Sequence, residues 1–317
     1  MSVPDTELAE IIARLRQPEK MISPKYFYDE RGSQLFDAIT HLAEYYPTET
    51  ELGIMRDNMT ELVTLVGQRA SLIEYGSGSS RKTRALLESL DDLAVYVPVD
   101  ISADHLLDSA HKVRAEFPGL EVLPVVADFT QPFELPNPTV TPLRNVVYFP
   151  GSTIGNFTHD AAQGLLEVMH GEAGENGALL IGVDLQKDIE IIEHAYNDSA
   201  SVTAKFNLNM LSHLNREFGF NFDPDSYSHS AHYNAAEGRI EMRLVSSKDQ
   251  TITTGDEEIS ITDGESILTE YSHKYTLDGF ATMVERAGFT VKKVWTDSEQ
   301  LFSVQYCVRL ERSSARD

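Results

Sequence analysis

The chain has 317 residues, and 50 acidic against 26 basic side chains give a formal net charge of -24. That balance repels polyanions and excludes nucleic acid and anionic membrane as partners over most of the surface. The lone cysteine, Cys307, excludes an internal disulfide framework and a cysteine zinc cluster.

The length prior is about two domains. The opening stretch MSVPDTELAE is acidic and lacks the apolar core of a signal peptide. No apolar run approaches the roughly 18 residues of a membrane span. A cytoplasmic protein is expected, and a monomer.

Residues 5–18 read as a short amphipathic helix with Leu8, Ile11, Ile12 and Leu15 on one face. Residues 21–47 are dense in aromatics, among which Tyr26, Phe27 and Phe36 read as core. Residues 48–66 predict a helix capped by Thr48, with Glu51 at the capping-box position. From residue 71 strands alternate with helices. Strands are expected at 72–75, 95–99, 121–126, 145–149 and 178–183. Helices fit between them at 81–90, 103–117 and 159–170. This is the pattern of a doubly wound, largely parallel α/β sheet, with its ligand at the carboxyl ends of the strands.

After Asp184 the alternation stops. Residues 188–218 are helical, with a break near 196–199. Strands follow at 227–235 and 239–246, with Glu237 and Gly238 as their turn. The segments 259–261 and 266–275 continue that pattern. A helix at 277–287 ends at Gly288. Two strands, 291–295 and 302–309, can finish the sheet begun at residue 72, and Cys307 falls in the second of them as a buried thiol. A second, discontinuous domain therefore combines the N-terminal region with an insertion of roughly 90 residues. Its expected extent is 1–59 and 191–285, against 60–190 and 286–317 for the sheet domain. The polar tail 313–317 is expected to be mobile.

The strand ends carry the chemistry. Gly76 and Gly78 follow the first strand and permit a tight turn with close ligand approach, while Ser79 and Ser80 suit the cap of the next helix. Asp100 ends the second strand, where an acid accepts hydrogen bonds from ribose hydroxyls. A helix-capping role competes for it. Asp128 and Phe129 follow the third strand, a carboxylate and a ring face suited to adenine. The run from Gly151 to Asn156 follows the fourth. The full GxGxxG phosphate fingerprint is absent, because Arg81 stands where its third glycine belongs. Nicotinamide and adenosyl cofactors both fit the outline; the missing glycine favours S-adenosylmethionine, which has no pyrophosphate to cradle.

Several segments carry a resemblance. They are residues 24–29 with 32–37, 44–48, Gly76 to Gly78 with Lys82 and Thr83, 151–156, 195–198, 239–242 and 268–272. In this order they resemble the ergothioneine-pathway histidine methyltransferases, which trimethylate the α-amino group of L-histidine to hercynine with S-adenosylmethionine, releasing S-adenosylhomocysteine. The resemblance implies a Rossmann-like class I methyltransferase sheet with a discontinuous α+β substrate domain. It implies cofactor contacts at Gly76, Gly78, Lys82, Asp100, Asp128 and Phe129. Tyr28 would lie near the amino group, and Tyr45 would face either the cofactor or the amino acid. Asn156 and Tyr196 would hold the substrate carboxylate. Glu270 and Ser272 would hydrogen-bond the imidazole, with Met242 packing nearby. Partners would be histidine and its mono- and dimethyl forms, and no metal is needed.

Tyr271 and His273 depart from the family pattern, which has smaller or less polar residues there. In a strand both would point away from the pocket. Three other readings stay open: the same chemistry on another amino acid or small amine, a nicotinamide oxidoreductase, and a cofactor-binding protein without turnover.

Overall fold

The computed structural model describes residues 3–77 and 81–310. Gly78, Ser79, Ser80 and the tail 313–317, all named above, lie outside the described residues. The chain divides into two compact units. One is Met1–Thr48 with Lys187–His273, and the other is Glu49–Gln186 with Lys274–Asp317.

The chain opens with α1 (Val3–Leu15), β1 (Lys20–Met21), a 3-10 turn at Pro24–Phe27, α2 (Glu30–Ile39) and α3 (Tyr46–Val66). Alternation follows: β2 (Ala70–Tyr75), α4 (Arg81–Leu87), β3 (Leu93–Asp100), α5 (Ala103–Glu116), β4 (Val125–Val126), β5 (Arg144–Phe149), α6 (His159–Ala173) and β6 (Ala178–Asp184). The inserted stretch holds α7 (Ile189–Tyr196), α8 (Val202–Phe218), β7 (Tyr227–Asn234), β8 (Arg239–Ser246), β9 (Gln250–Thr254), β10 (Glu257–Ile261) and β11 (Ser266–His273). The chain closes with α9 (Leu277–Arg286), β12 (Phe289–Thr296) and β13 (Phe302–Arg309).

The second unit is built on a seven-stranded sheet in the order β12-β13-β6-β5-β2-β3-β4. Strands β2 to β6 pair in parallel, while β13 runs antiparallel to both β6 and β12. Every residue of β2 and of β6 is buried, as near-continuous apolar runs in a parallel sheet covered on both faces should be. Alternate residues feed two cores. Ile73 and Val97 join Leu165 and Phe280 in one, while Leu72 and Tyr96 join Leu62 and Tyr306 in the other. From β2 the chain moves outward through β3 and β4, then restarts on the other side with β5. That reversal between β2 and β5 is the switch point at which open α/β sheets bind ligands.

The first unit has a four-stranded sheet, β1-β11-β8-β7, and a separate β9–β10 hairpin. Its core unites Ile192 and Tyr196 of α7, Phe206 and Met210 of α8, and Ala231, Ile240, Met242 and Leu244 of the sheet. Tyr26 and Phe27 are buried in this core, and Phe36 packs against it.

Several elements depart from expectation, β1 and β9 among them. The strand expected at 121–126 shrinks to Val125–Val126 and one bridge between Tyr96 and Val122. Pro124 interrupts it, having no N–H to give the ladder. Helix α3 starts at Tyr46, so Thr48 lies inside its first turn and does not cap it. Pro47 sets the helical φ early, and the Glu51 side chain is drawn elsewhere, as described below. Helix α2, hidden among the aromatics, is capped by Asp29, whose Oδ1 accepts from Gly32 N at 2.6 Å.

Cys307 is fully buried in β13, and burial pushes its thiol up to about 12. Thiol-specific dye should therefore find no reactive group in the native protein and one thiol per chain in denaturant. Rapid labelling under native conditions would contradict this placement.

Candidate active site

At the end of β2, Gly76 adopts a left-handed φ of 71°, a conformation that costs glycine nothing. The N–H groups of Gly76 and Ser77 both donate to Val99 O, at 2.9 and 3.3 Å, so the turn folds over the end of β3. A side chain at Gly76 would stand 3.8 Å from the Phe129 ring. That ring packs against Tyr75 and Phe149 with centroids 5.3 and 5.8 Å away. The structure thus brings Phe129, which follows β4, to the glycine turn after β2.

Asp100 is the last residue of β3, and its Oδ1 accepts from Ser102 N at 2.9 Å. Ser102 is the N-cap of α5, so Asp100 does not cap the helix; the bond closes the turn before it and takes one of two carboxylate oxygens. Burial raises the Asp100 carboxyl, opposed by the Ser102 N–H and by His105. Asp128 locks its own turn in the same way, accepting from Thr130 N at 3.0 Å and Thr130 Oγ1 at 2.6 Å.

The residues present fit an adenosyl group. Ser77 Oγ is fully buried at the turn and has no hydrogen-bond partner among the described residues. Such a hydroxyl costs roughly 1–3 kcal/mol until something bonds it. The same turn carries the Gly76 backbone beside the Phe129 ring and bonds Val99, the residue before the strand-end carboxylate of Asp100.

Lys82, in the first turn of α4, pairs with Glu51 at 2.7 Å. Glu51 is fully buried and also accepts from Gly151 N, at 2.9 Å to one oxygen and 3.2 Å to the other. A side chain at Gly151, which has φ of 79°, would meet Lys82 Nζ at 3.2 Å. The next residue, Ser152, is also left-handed, and its Oγ accepts from Asp184 N at 2.9 Å. A 3-10 turn over Thr153–Asn156 follows and carries Asn156. Beside it Asp184 forms a buried ion pair with Lys274 at 2.8 Å.

In the first unit, Glu270 of β11 lies directly opposite Met242 of β8, and both are buried. A β-bulge makes this so. Ile267 pairs with Leu244 and Leu268 with Arg243, after which the register shifts and Glu270 pairs with Met242. Without the extra residue, Thr269 would face Met242 and Glu270 would face Glu241 on the other side of the sheet. Thr269 Oγ1 donates to Met242 O at 3.0 Å and ties the bulge to β8. Ser272 follows Glu270 on the same face, opposite Ile240. Tyr271 and His273 share the reverse face, their rings 5.5 Å apart, with the Arg239 guanidinium 4.7 Å from the Tyr271 ring.

Tyr196 ends α7 with its ring 6.4 Å from that of Tyr45. Tyr28 is the more exposed aromatic and makes edge contacts with Phe36 and Phe206 at 5.7 and 5.9 Å.

Comparison with known proteins supplies what geometry alone leaves open. The model of the family described as "Histidine-specific methyltransferase, SAM-dependent" matches residues 7–309. The chain belongs to this family. It is 38% identical over 306 residues to the histidine N-alpha-methyltransferase of Mycolicibacterium smegmatis, covering 95% of this chain and 94% of that protein. Its identity to the histidine N-alpha-methyltransferase of Mycobacterium tuberculosis is 36%, with the same coverage. The ergothioneine biosynthesis protein 1 of Neurospora crassa is 32% identical over 223 residues, or 68% of this chain and 25% of that protein.

Within this methyltransferase fold the sequence reading passed over two acids. Glu51 was hidden because its spacing from Thr48 imitates a capping box. Glu74 had a signal, being the one acid in an otherwise apolar strand. It is fully buried and accepts hydrogen bonds from Thr83 Oγ1 of α4 and Tyr96 OH of β3, directly beneath the glycine turn.

Burial raises the Glu74 carboxyl to about 7, against the pull of Thr83, Tyr96 and Lys82. The unfolded chain ionises this group near the ordinary 4.5 and the folded chain only near 7. Its contribution to stability is therefore fullest below about pH 4.5, falls by about 3 kcal/mol as pH rises to 7, and is level above. Urea unfolding across that window should show Glu74→Gln lacking this downward component. A pH dependence identical to wild type would contradict it.

Proposed function

We propose that the chain transfers methyl groups from S-adenosylmethionine to the α-amino group of L-histidine, ending at the trimethylated product hercynine. The observation that carries the reading is Glu270, a carboxylate turned by a β-bulge onto the buried face of a sheet, in a histidine-specific family. A carboxylate on that face can accept a hydrogen bond from an imidazole N–H, which an apolar amino-acid side chain does not offer.

When bound, the cofactor supplies an electrophilic methyl group on a sulfonium sulfur. The chain's own residues bind and orient. The backbone at Gly76, with Gly78 and Lys82, receives the amino-acid portion of the cofactor. The second oxygen of Asp100 accepts from ribose hydroxyls. Asp128 accepts from the adenine amine, and Phe129 presents its ring face. On the acceptor side, Asn156 and Tyr196 bind the substrate carboxylate, and Glu270 and Ser272 bind the imidazole with Met242 packed alongside. Tyr28 and Tyr45 orient the amine, whose lone pair must be free to attack. Their ring faces also tolerate the quaternary ammonium that the third transfer creates. Such a site accelerates transfer chiefly by orientation and exclusion of water.

An amino-acid panel with mass-spectrometric detection tests the reading. Wild type should add three methyl groups to histidine in preference to other amino acids. Glu270→Ala should lose roughly 10- to 100-fold in kcat/KM for histidine, the loss of one charged hydrogen bond. Its preference over tryptophan should shrink with it. Unchanged discrimination in Glu270→Ala would sink the assignment.

A further inference from the structure

The C-terminal end of α7 is held by a chain of side chains with no counterpart in the proposed substrate contacts. Tyr196 is the last residue of α7, so its carbonyl has no partner within the helix. His229 of β7 supplies one, with Nε2 2.9 Å from Tyr196 O. A carbonyl only accepts, so Nε2 carries the proton and Nδ1 is an acceptor. Asn207 of α8 meets that acceptor, its Nδ2 lying 2.9 Å from His229 Nδ1 and 3.1 Å from Arg243 O. Both protons of the Asn207 amide are thereby used, and its orientation is fixed. Its Oδ1 is left buried with no partner among the described residues. One residue beyond Tyr196, Asn197 Nδ2 donates to Ala231 O at 2.9 Å. His229 and Ala231 are two apart on β7, so that strand holds the helix end at two points, once through a side chain and once through a backbone carbonyl.

We propose that His229, oriented by Asn207, is a positioning residue that sets the place of Tyr196 for binding the amino-acid substrate. The inference rests on the reading of Tyr196 as a substrate contact. Hydrogen-bond direction makes the device sensitive to acid. Protonated His229 would aim an Nδ1–H at the Asn207 amide protons. Turning the amide over would satisfy it but set Asn207 Oδ1 against Arg243 O. Either arrangement leaves a buried mismatch, and the helix end loosens.

The surroundings are few. α7 supplies the Tyr196 carbonyl, α8 supplies Asn207, and the cross-strand neighbour on β8 is the apolar Leu244. Burial lowers the His229 imidazole below its ordinary value, against the Tyr196 carbonyl and the charge of Asp198, while His232 lowers it further. The neutral, positioning form therefore prevails near neutral pH and is lost only in acid.

The test compares wild type, His229→Gln and His229→Phe in steady-state kinetics from pH 5 to 8, with S-adenosylhomocysteine binding followed in parallel. Glutamine keeps an N–H donor near the Nε2 position and does not titrate; phenylalanine keeps bulk alone. Expected for His229→Phe is a KM for histidine raised at least tenfold, with S-adenosylhomocysteine affinity unchanged. His229→Gln should hold KM within about threefold of wild type at pH 7 and lack the wild-type rise in KM at the acid end. Equal KM increases in both variants, or wild-type KM in His229→Phe, would overturn the inference. Should His229→Phe fail to fold, an acid limb in His229→Gln identical to wild type overturns it equally. Absence of histidine turnover in wild type would overturn the functional reading itself, and this inference with it.

Discussion

Glu51 carries a carboxylate into the interior of the second unit, where an uncompensated charge could not persist. It persists because Lys82 Nζ and Gly151 N both reach it, and because Gly182 on β6 has no side chain. A Cβ at Gly182 would lie 2.3 Å from a Glu51 oxygen. One charge therefore joins α3, the first turn of α4 and the loop after β5 at the ligand edge of the sheet. Removing one partner of such a buried pair costs roughly 3–5 kcal/mol, because the other charge is left stranded. Glu74 makes a second tie just beneath, linking β2 to α4 and β3.

The other unit solves a different problem, which is to turn polar side chains inward on a sheet whose inner face is core. Strand parity alone would place Glu270 opposite Glu241, among the half-buried Arg239–Glu241–Arg243 charges. One bulged residue reverses that parity and brings Glu270 and Ser272 to the face of Met242. Tyr271 and His273 are sent to the reverse face, where Tyr271 meets Arg239. Tyr271 and His273 are thus separated from Glu270 and Ser272 by the pleat of a single strand.

Much of this was legible in the chain. Parallel strands buried on both faces announce themselves as apolar runs, and the glycines and acids at their ends mark the ligand edge. β12 and β13 closed the sheet as their pattern implied. Other features were not legible, for physical reasons. β1 is two residues long and exists only because β11 accepts it in parallel. The bulge at Thr269 leaves no mark in composition, since it is a fact of register between two strands. Glu51 imitates a helix cap, and only tertiary contact reveals its partners. His229 and Asn207 look like ordinary strand and helix residues until their hydrogen bonds are traced.

The most direct test of this account is calorimetric binding of S-adenosylhomocysteine to wild type and Glu51→Gln, with folding checked by circular dichroism. The amide retains shape and removes the charge that fixes Lys82 and the Gly151 loop. The account predicts a folded variant whose affinity is at least about tenfold weaker, a change of roughly 1.4 kcal/mol. A folded variant with wild-type affinity would contradict it.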